Sequence, residues 1–136
     1  MRVNPHLSFN GQCREAFTFY QKCLGAEIQM MMTWDESPMA DQVGSELRDK
    51  IIHATLMVGE TSLSGGDGPA DQYEAPRGFA VTIQINDPTD AERIFHELSD
   101  GGTVTMPIQQ TFWAARFGMV VDRFGIPWMV NCGQAA

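Results

Sequence analysis

His6 and His53 are the side chains of this chain best suited to proton transfer near neutral pH, since an imidazole is half charged close to pH 6.5. Either could act as a general acid or base, and either could ligate a metal. No Ser-His-Asp set with a nucleophile elbow accompanies them, and no paired carboxylates stand out. Cys13, Cys23 and Cys132 form no CxxC or Cys/His zinc spacing. Cys13 and Cys23 fall on one predicted helix about 15 Å apart, too far for a disulfide, so reduced thiols are expected. A second group of chemistry-bearing residues lies in 109–131, QQTFWAARFGMVVDRFGIPWMVN. Trp113 and Phe112 could each stack on a planar ligand or pack in the core, the core being the commoner fate for Phe112. Arg116 could hold an anion bidentately, although a salt bridge to one of the many acids is the commoner fate. Met129 and Asn131 share one strand parity, opposite to that of Trp128 and Val130. Trp128 is therefore assigned to the core under a helix, and Met129 and Asn131 to the other face.

The elements that must position these groups follow from periodicity. Residues 3–9 alternate as a strand, with Leu7 and Phe9 opposite His6 and Ser8. Asn10 is placed to cap a helix ending near Leu24, with Cys13, Ala16, Phe17, Tyr20 and Leu24 as its apolar stripe and Gly25 as its left-handed stop. Residues 27–34 read as a strand and 35–50 as a long mobile loop or lid. Residues 51–58 form a strand that carries His53, Thr55 and Met57 on one face and Ala54 and Leu56 on the other. A short strand, 61–64, precedes a Gly/Pro-rich linker over 65–78. That linker runs into Pro69 and Pro76 instead of opening a helix, so it does not read as a phosphate loop.

The pattern then starts again. Residues 79–85 form a strand on which Gln84 faces opposite Ile83 and Ile85. Asp87 caps a helix with Pro88 at its first position, and Gly101-Gly102 ends it. Strands are expected at about 103–110, 115–121 and 126–132. Between the last two, Asp122-Arg123-Phe124-Gly125 reads as a turn, its carboxylate bonding backbone two residues on. The chain is strand–helix–strand–strand–strand written twice, with a period of roughly 75 residues. The first module spans 1–66 and the second 79–136, in a single α+β domain. Each module should cover one face of a curved mixed sheet with its helix. The two uncovered faces could then close around a common cavity, walled in part by 109–131. Met30, Met31, Met32 and Met57 offer adaptable apolar lining.

Composition narrows the function classes. A net charge of −8 without a basic stripe disfavours nucleic acid. No apolar run is long enough for a membrane span, and the N-terminus carries no apolar signal region. A soluble, cytoplasmic protein is expected.

The double βαβββ arrangement resembles the vicinal oxygen chelate superfamily, which includes glyoxalase, extradiol dioxygenases and bleomycin-resistance proteins. The local match is to its PhnB-like members. It rests on Leu7-Ser8-Phe9-Asn10-Gly11 ahead of Phe19-Tyr20 and Leu24-Gly25-Ala26-Glu27. Ile52-His53-Ala54, Thr111-Phe112-Trp113, Phe117-Gly118 and the run Asp122 to Asn131 extend it. Such sequences are often labelled 3-demethylubiquinone 3-methyltransferase, yet no Gly-rich strand-to-helix turn is present to hold S-adenosylmethionine.

The resemblance implies a divalent-metal site with ligands on four strands. Those positions fall on Asn4 or Pro5, on His53 at the last long strand of the first half, on Ala80 and on Met129. Only His53 suits a hard or borderline cation, since a thioether prefers copper(I). In such a sheet the strands bearing His6 and His53 should be neighbours, so the two could approach each other. No cofactor is therefore expected, although a divalent metal held by His53 and His6 is possible. The resemblance also implies a homodimer. The resulting expectation is a PhnB-like protein that binds a small molecule in a cavity, with His6, His53, Thr55, Gln84, Trp113, Arg116, Met129 and Asn131 as candidate contacts. The alternative is a divalent-metal-dependent lyase, isomerase or dioxygenase of glyoxalase type.

Overall fold

The computed structural model describes residues 1–133. The chain divides into two compact units, Met1–Glu74 and Ala75–Ala136. The first contains β1 (His6–Phe9), α1 (Cys13–Leu24), β2 (Glu27–Thr33), the single helical turn α2 (Ser45–Arg48), β3 (Ile51–Val58) and β4 (Thr61–Asp67). The second contains β5 (Val81–Ile85), α3 (Pro88–Ser99), β6 (Thr103–Gln109), β7 (Arg116–Val121) and β8 (Pro127–Cys132). The strand orders are β1-β4-β3-β2 and β5-β8-β7-β6, the same path walked twice. In each sheet one parallel pair, β1 with β4 and β5 with β8, joins the first strand of the unit to its last. The two mixed sheets with their helices make the fold α+β, two similar modules in succession. No helix among the described residues is long and apolar enough to cross a membrane.

Each helix buries one stripe against its own sheet. Cys13, Ala16, Phe17, Tyr20 and Cys23 are buried on α1, and Ala91, Ile94, Phe95 and Leu98 on α3. The α1 stripe ends at Cys23 instead of Leu24, three residues on from Tyr20. Close approach requires glycine beneath the helix aromatics. A Cβ on Gly65 would lie 2.9 Å from the Phe17 ring, and one on Gly118 would lie 2.6 Å from that of Phe95. Trp128 is 1% exposed and packs in the core of the second unit.

The local signals for helix ends hold at three of four places. Gly25 takes φ 62° and stops α1, Asp87 accepts from the Thr89 N–H with Pro88 beginning α3, and Gly101 turns at φ 77° just beyond the end of α3. The fourth is a correction: Asn10 does not cap α1. Gly11 turns at φ 84° between Asn10 and the helix, and Gln12 occupies the cap position without a side-chain bond. The Asp67 carboxylate takes over, accepting from the Cys13 N–H at 3.0 Å and from the Ile51 N–H at 2.9 Å.

Asp67 also corrects the reading of 65–78 as a linker. β4 continues through Gly65, Gly66 and Asp67, pairing Leu7 with Gly65 and Phe9 with Asp67. The connection 35–50, expected as a long mobile loop or lid, contains short helical structure. Backbone bonds from Trp34 to Lys50 and from Asp35 to Arg48 pin its root, and it contains a 3-10 turn at Ala40–Gln42 besides α2. The Asp122–Gly125 turn forms as read: Asp122 accepts from Phe124 N–H at 2.8 Å, and Gly125 takes φ 87°.

Candidate functional site

Strand alternation turns one set of side chains on each sheet away from the helix, and the candidate residues concentrate there. On the first sheet His6, Ser64 and Thr55 form one cross-strand row through β1, β4 and β3. His53 lies on the same face two residues before Thr55. Its ring stacks near that of His6, with centroids 6.2 Å apart and planes 22° from parallel. The Thr55 hydroxyl sits 3.3 Å from His53 Nε2. Across the β2 pairing, Met32 stands opposite His53 and Met30 opposite Thr55. Burial holds the His6 pKa below its ordinary value, and the neighbouring His53 charge adds to the depression. The pair thus meets as expected, but not across neighbouring strands: β4 lies between β1 and β3.

On the second sheet Thr82, Met129 and Met119 form the corresponding row, and Gln84, Asn131 and Phe117 the next. Asn131 Nδ2 donates to Gln84 Oε1 at 2.8 Å. Asn131 Oδ1 is covered and has no hydrogen-bond partner. Trp113 stands at the edge of this face, its ring 5.3 Å from that of Phe117 in a T-shaped contact. It is 48% exposed, and Phe112, 4.7 Å beyond it, is 91% exposed. Phe112 is therefore not core. The loop directs it outward because buried Ala114 anchors the turn through bonds with Thr111, and Ala115 N–H ties to the Cys132 carbonyl.

Arg116 forms the salt bridge expected as its commoner fate and leaves the set of candidate ligand contacts. It shares parity with Gly118 and Val120, the helix-facing residues of β7, and its Nε pairs with Glu92 Oε1 of α3 at 3.1 Å. It does not join Phe117 and Met119 on the opposite face.

A divalent chelate does not fit these residues. Among the described residues no group of three His, Cys, Asp or Glu side chains could hold an ion. The last long strand of the first half is β4, not the His53 strand, because β4 runs seven residues. The carboxylate of β4, Asp67, is buried and committed to two backbone N–H groups. Asn4, Pro5 and Ala80 precede their strands, and Met129 offers only a thioether.

Sequence reasoning did not single out two features. Ser64 completes the His6 row, and its signal lay in continuing the alternation of β4 through the glycines. A cleft of about 590 Å3 opens in the first unit among Gly11, Glu46, Leu47, Lys50, Pro69 and Asp71. Its residues come from three separate loops, so no spacing pattern announces it.

The family model described as 3-demethylubiquinone-9 3-methyltransferase matches residues 1–131. The chain is 42% identical to protein PA1353 from Pseudomonas aeruginosa, whose crystal structure superposes with a TM-score of 0.91 over 99% of each chain. It is 32% identical to Protein YjdN of Escherichia coli over 96% of this chain and 95% of that one. A PhnB protein from Bacillus cereus shares the fold at 21% identity, with a TM-score of 0.81 over 98% of this chain and 100% of the other.

Proposed function

Since the chain belongs to the 3-demethylubiquinone-9 3-methyltransferase family, the PhnB-like group of the vicinal oxygen chelate superfamily, we propose that it is a cytoplasmic homodimer that binds a small molecule on the sheet faces turned from its helices. One observation carries this reading. Polar side chains hydrogen-bonded to each other, Thr55 with His53 and Asn131 with Gln84, stand on those faces among thioethers and aromatics. A few oriented polar groups on an apolar, adaptable wall are the composition of a ligand site. The family's methyltransferase label fits less well. S-adenosylmethionine is commonly held at the Gly-rich turn of a doubly wound parallel sheet, whereas each sheet here has a single parallel pair.

The test is a thermal-shift screen of the full chain against metabolites and divalent metals, because a ligand of the native state raises the melting point. A concentration-dependent rise with an organic compound, lost in Thr55→Val or Gln84→Ala, supports the proposal. Flat melting curves across a broad collection overturn it. Dimerisation is read by light scattering; each four-stranded sheet ends in two edge strands that a second copy could cover.

The stacked His6–His53 pair favours one second reading, a divalent-metal lyase, isomerase or dioxygenase of glyoxalase type. It requires at least one donor beyond the two imidazoles. Near-stoichiometric nickel, zinc, iron or manganese in protein purified without a His tag would favour it.

A further inference from the structure

The second unit presents an aromatic shelf beside an unsatisfied amide. Trp113 and Phe117 meet edge to face at 5.3 Å, and Trp113 remains 48% exposed on an anchored loop. Its ring is therefore held in place while part of its surface stays open to solvent. Phe117 shares its face of β7 with Met119, which stands opposite Met129. Thioethers conform to aromatic surfaces and favour contact with them. Phe117 is also the direct cross-strand partner of Asn131. That amide donates to Gln84 but leaves Oδ1 covered and without a donor. A buried carbonyl lacking a donor is destabilising, and such a group in a native fold calls for an explanation. Gln84, the neighbour that holds the amide, is exposed. Its side chain can swing aside and open Asn131 to an incoming group.

Resting on the ligand-binding reading above, we infer that the ligand is a planar aromatic molecule carrying a hydrogen-bond donor, its ring against Trp113 and Phe117 and its O–H or N–H on Asn131 Oδ1. The ring supplies flat apolar area to an exposed indole, and the donor satisfies the amide. The chemistry selects phenols, hydroxylated fused rings and aromatic amines over aliphatic alcohols of similar size.

The experiment is isothermal titration of the full chain with three probes: 1-naphthol, 1-methoxynaphthalene and cyclohexanol. 1-Naphthol is expected to bind, 1-methoxynaphthalene about fivefold more weakly because its ether oxygen can only accept, and cyclohexanol not at all. Trp113→Ala should weaken 1-naphthol about tenfold. Its melting point should stay near that of the parent, since the side chain is half exposed. Asn131→Leu should bring the two naphthyl probes to equal affinity. The wild-type ratio of those probes tests the donor requirement even if that variant folds poorly. Equal affinity of the naphthyl probes for the parent, or a Trp113→Ala titration identical to the parent's, overturns the inference. So does failure of 1-naphthol while non-aromatic compounds raise the melting point, in which case the broader ligand-binding reading stands. If no compound of any class binds, both fall.

Discussion

The two units walk the same path through four strands and a helix, yet they hold that path together by different means. In the first, one carboxylate reaches across the chain: Asp67 joins the start of α1, 54 residues away, to the start of β3, 16 residues away. In the second, the work is local and divided. Asp87 caps α3 two residues on. Asp122 gathers the N–H groups of Phe124 and Ile126 with the indole of Trp128, all within six residues. The register shows why the roles cannot be exchanged. Phe9 pairs with Asp67 at the end of β4, whereas Ile85 pairs with Cys132 at the corresponding end of β8. The second unit has no acid at that position, so its helix carries its own. The same topology can thus be tied by long-range or short-range acceptors, depending on where the carboxylates fall.

Removing the acids separates these designs. Asp122→Ala strands three donors in a buried turn and should cost about 4 kcal/mol, near the upper end for a single substitution. Asp67→Ala strands two and should cost about 3 kcal/mol. Asp87→Ala removes an exposed cap and should cost about 1 kcal/mol. Urea midpoints of the three variants give the order. If Asp67→Ala proves no worse than Asp87→Ala, water satisfies the α1 and β3 amides and the long-range tie is unimportant.

A smaller contrast concerns where each helix leans closest. Phe17 of α1 rests on Gly65 of β4, but Phe95 of α3 rests on Gly118 of β7, one strand over in the equivalent order. A new Cβ would meet backbone at 3.0 Å in both seats, the Ile108 Cα at Gly118 and the Leu7 carbonyl at Gly65, but the ring is nearer at Gly118, 2.6 Å against 2.9 Å. Gly118→Ala is therefore expected to cost about 3 kcal/mol and Gly65→Ala about 1.5 kcal/mol, within the range of overpacked cores. Thermal unfolding of the pair decides; equal melting points would mean the two helix seats are equally plastic.

What was legible in the sequence divides along the same line. The Asp122–Gly125 turn, the Asp87-Pro88 cap, the Gly25 stop and both helix stripes are local chemistry, and their meaning is complete within a few residues. Asp67 is not. Its partners are remote, and the two glycines before it imitate a linker, so the local pattern stops β4 at Ser64. The candidate site was legible by parity where parity held, which placed Met129 and Asn131 opposite Trp128. For Arg116 the sequence points to a salt bridge but not to its partner: Glu92 on α3, which no local pattern pairs with it, claims it on the helix side. For Phe112 hydrophobicity leaves both fates open, because it cannot distinguish a core aromatic from one on an anchored loop tip. His6 and His53 do come together, but over an intervening strand, because the topology that places β4 between β1 and β3 is not encoded in either segment.

The faces turned from the helices sharpen the comparison most finely. In corresponding registers the first sheet has His6, Ser64 and Thr55 where the second has Thr82, Met129 and Met119, and His53 stands where Phe117 does. Only the first of these rows titrates near neutrality. Burial first, and the His53 charge second, lower the His6 pKa from its ordinary 6.5. With the folded value below the unfolded one, the unfolded chain binds the proton more readily through that window. The contribution of His6 to stability is then complete above about pH 6.5 and is lost as pH falls through the depressed folded value. Proton NMR of the imidazole C–H resonances should place the His6 midpoint below 6.5. In His53→Gln it should rise only part of the way back, because the burial that dominates the shift remains. An unchanged His6 midpoint in that variant would mean the two rings do not sense each other's charge. A full return to 6.5 would mean that charge, not desolvation, sets the chemistry of this face.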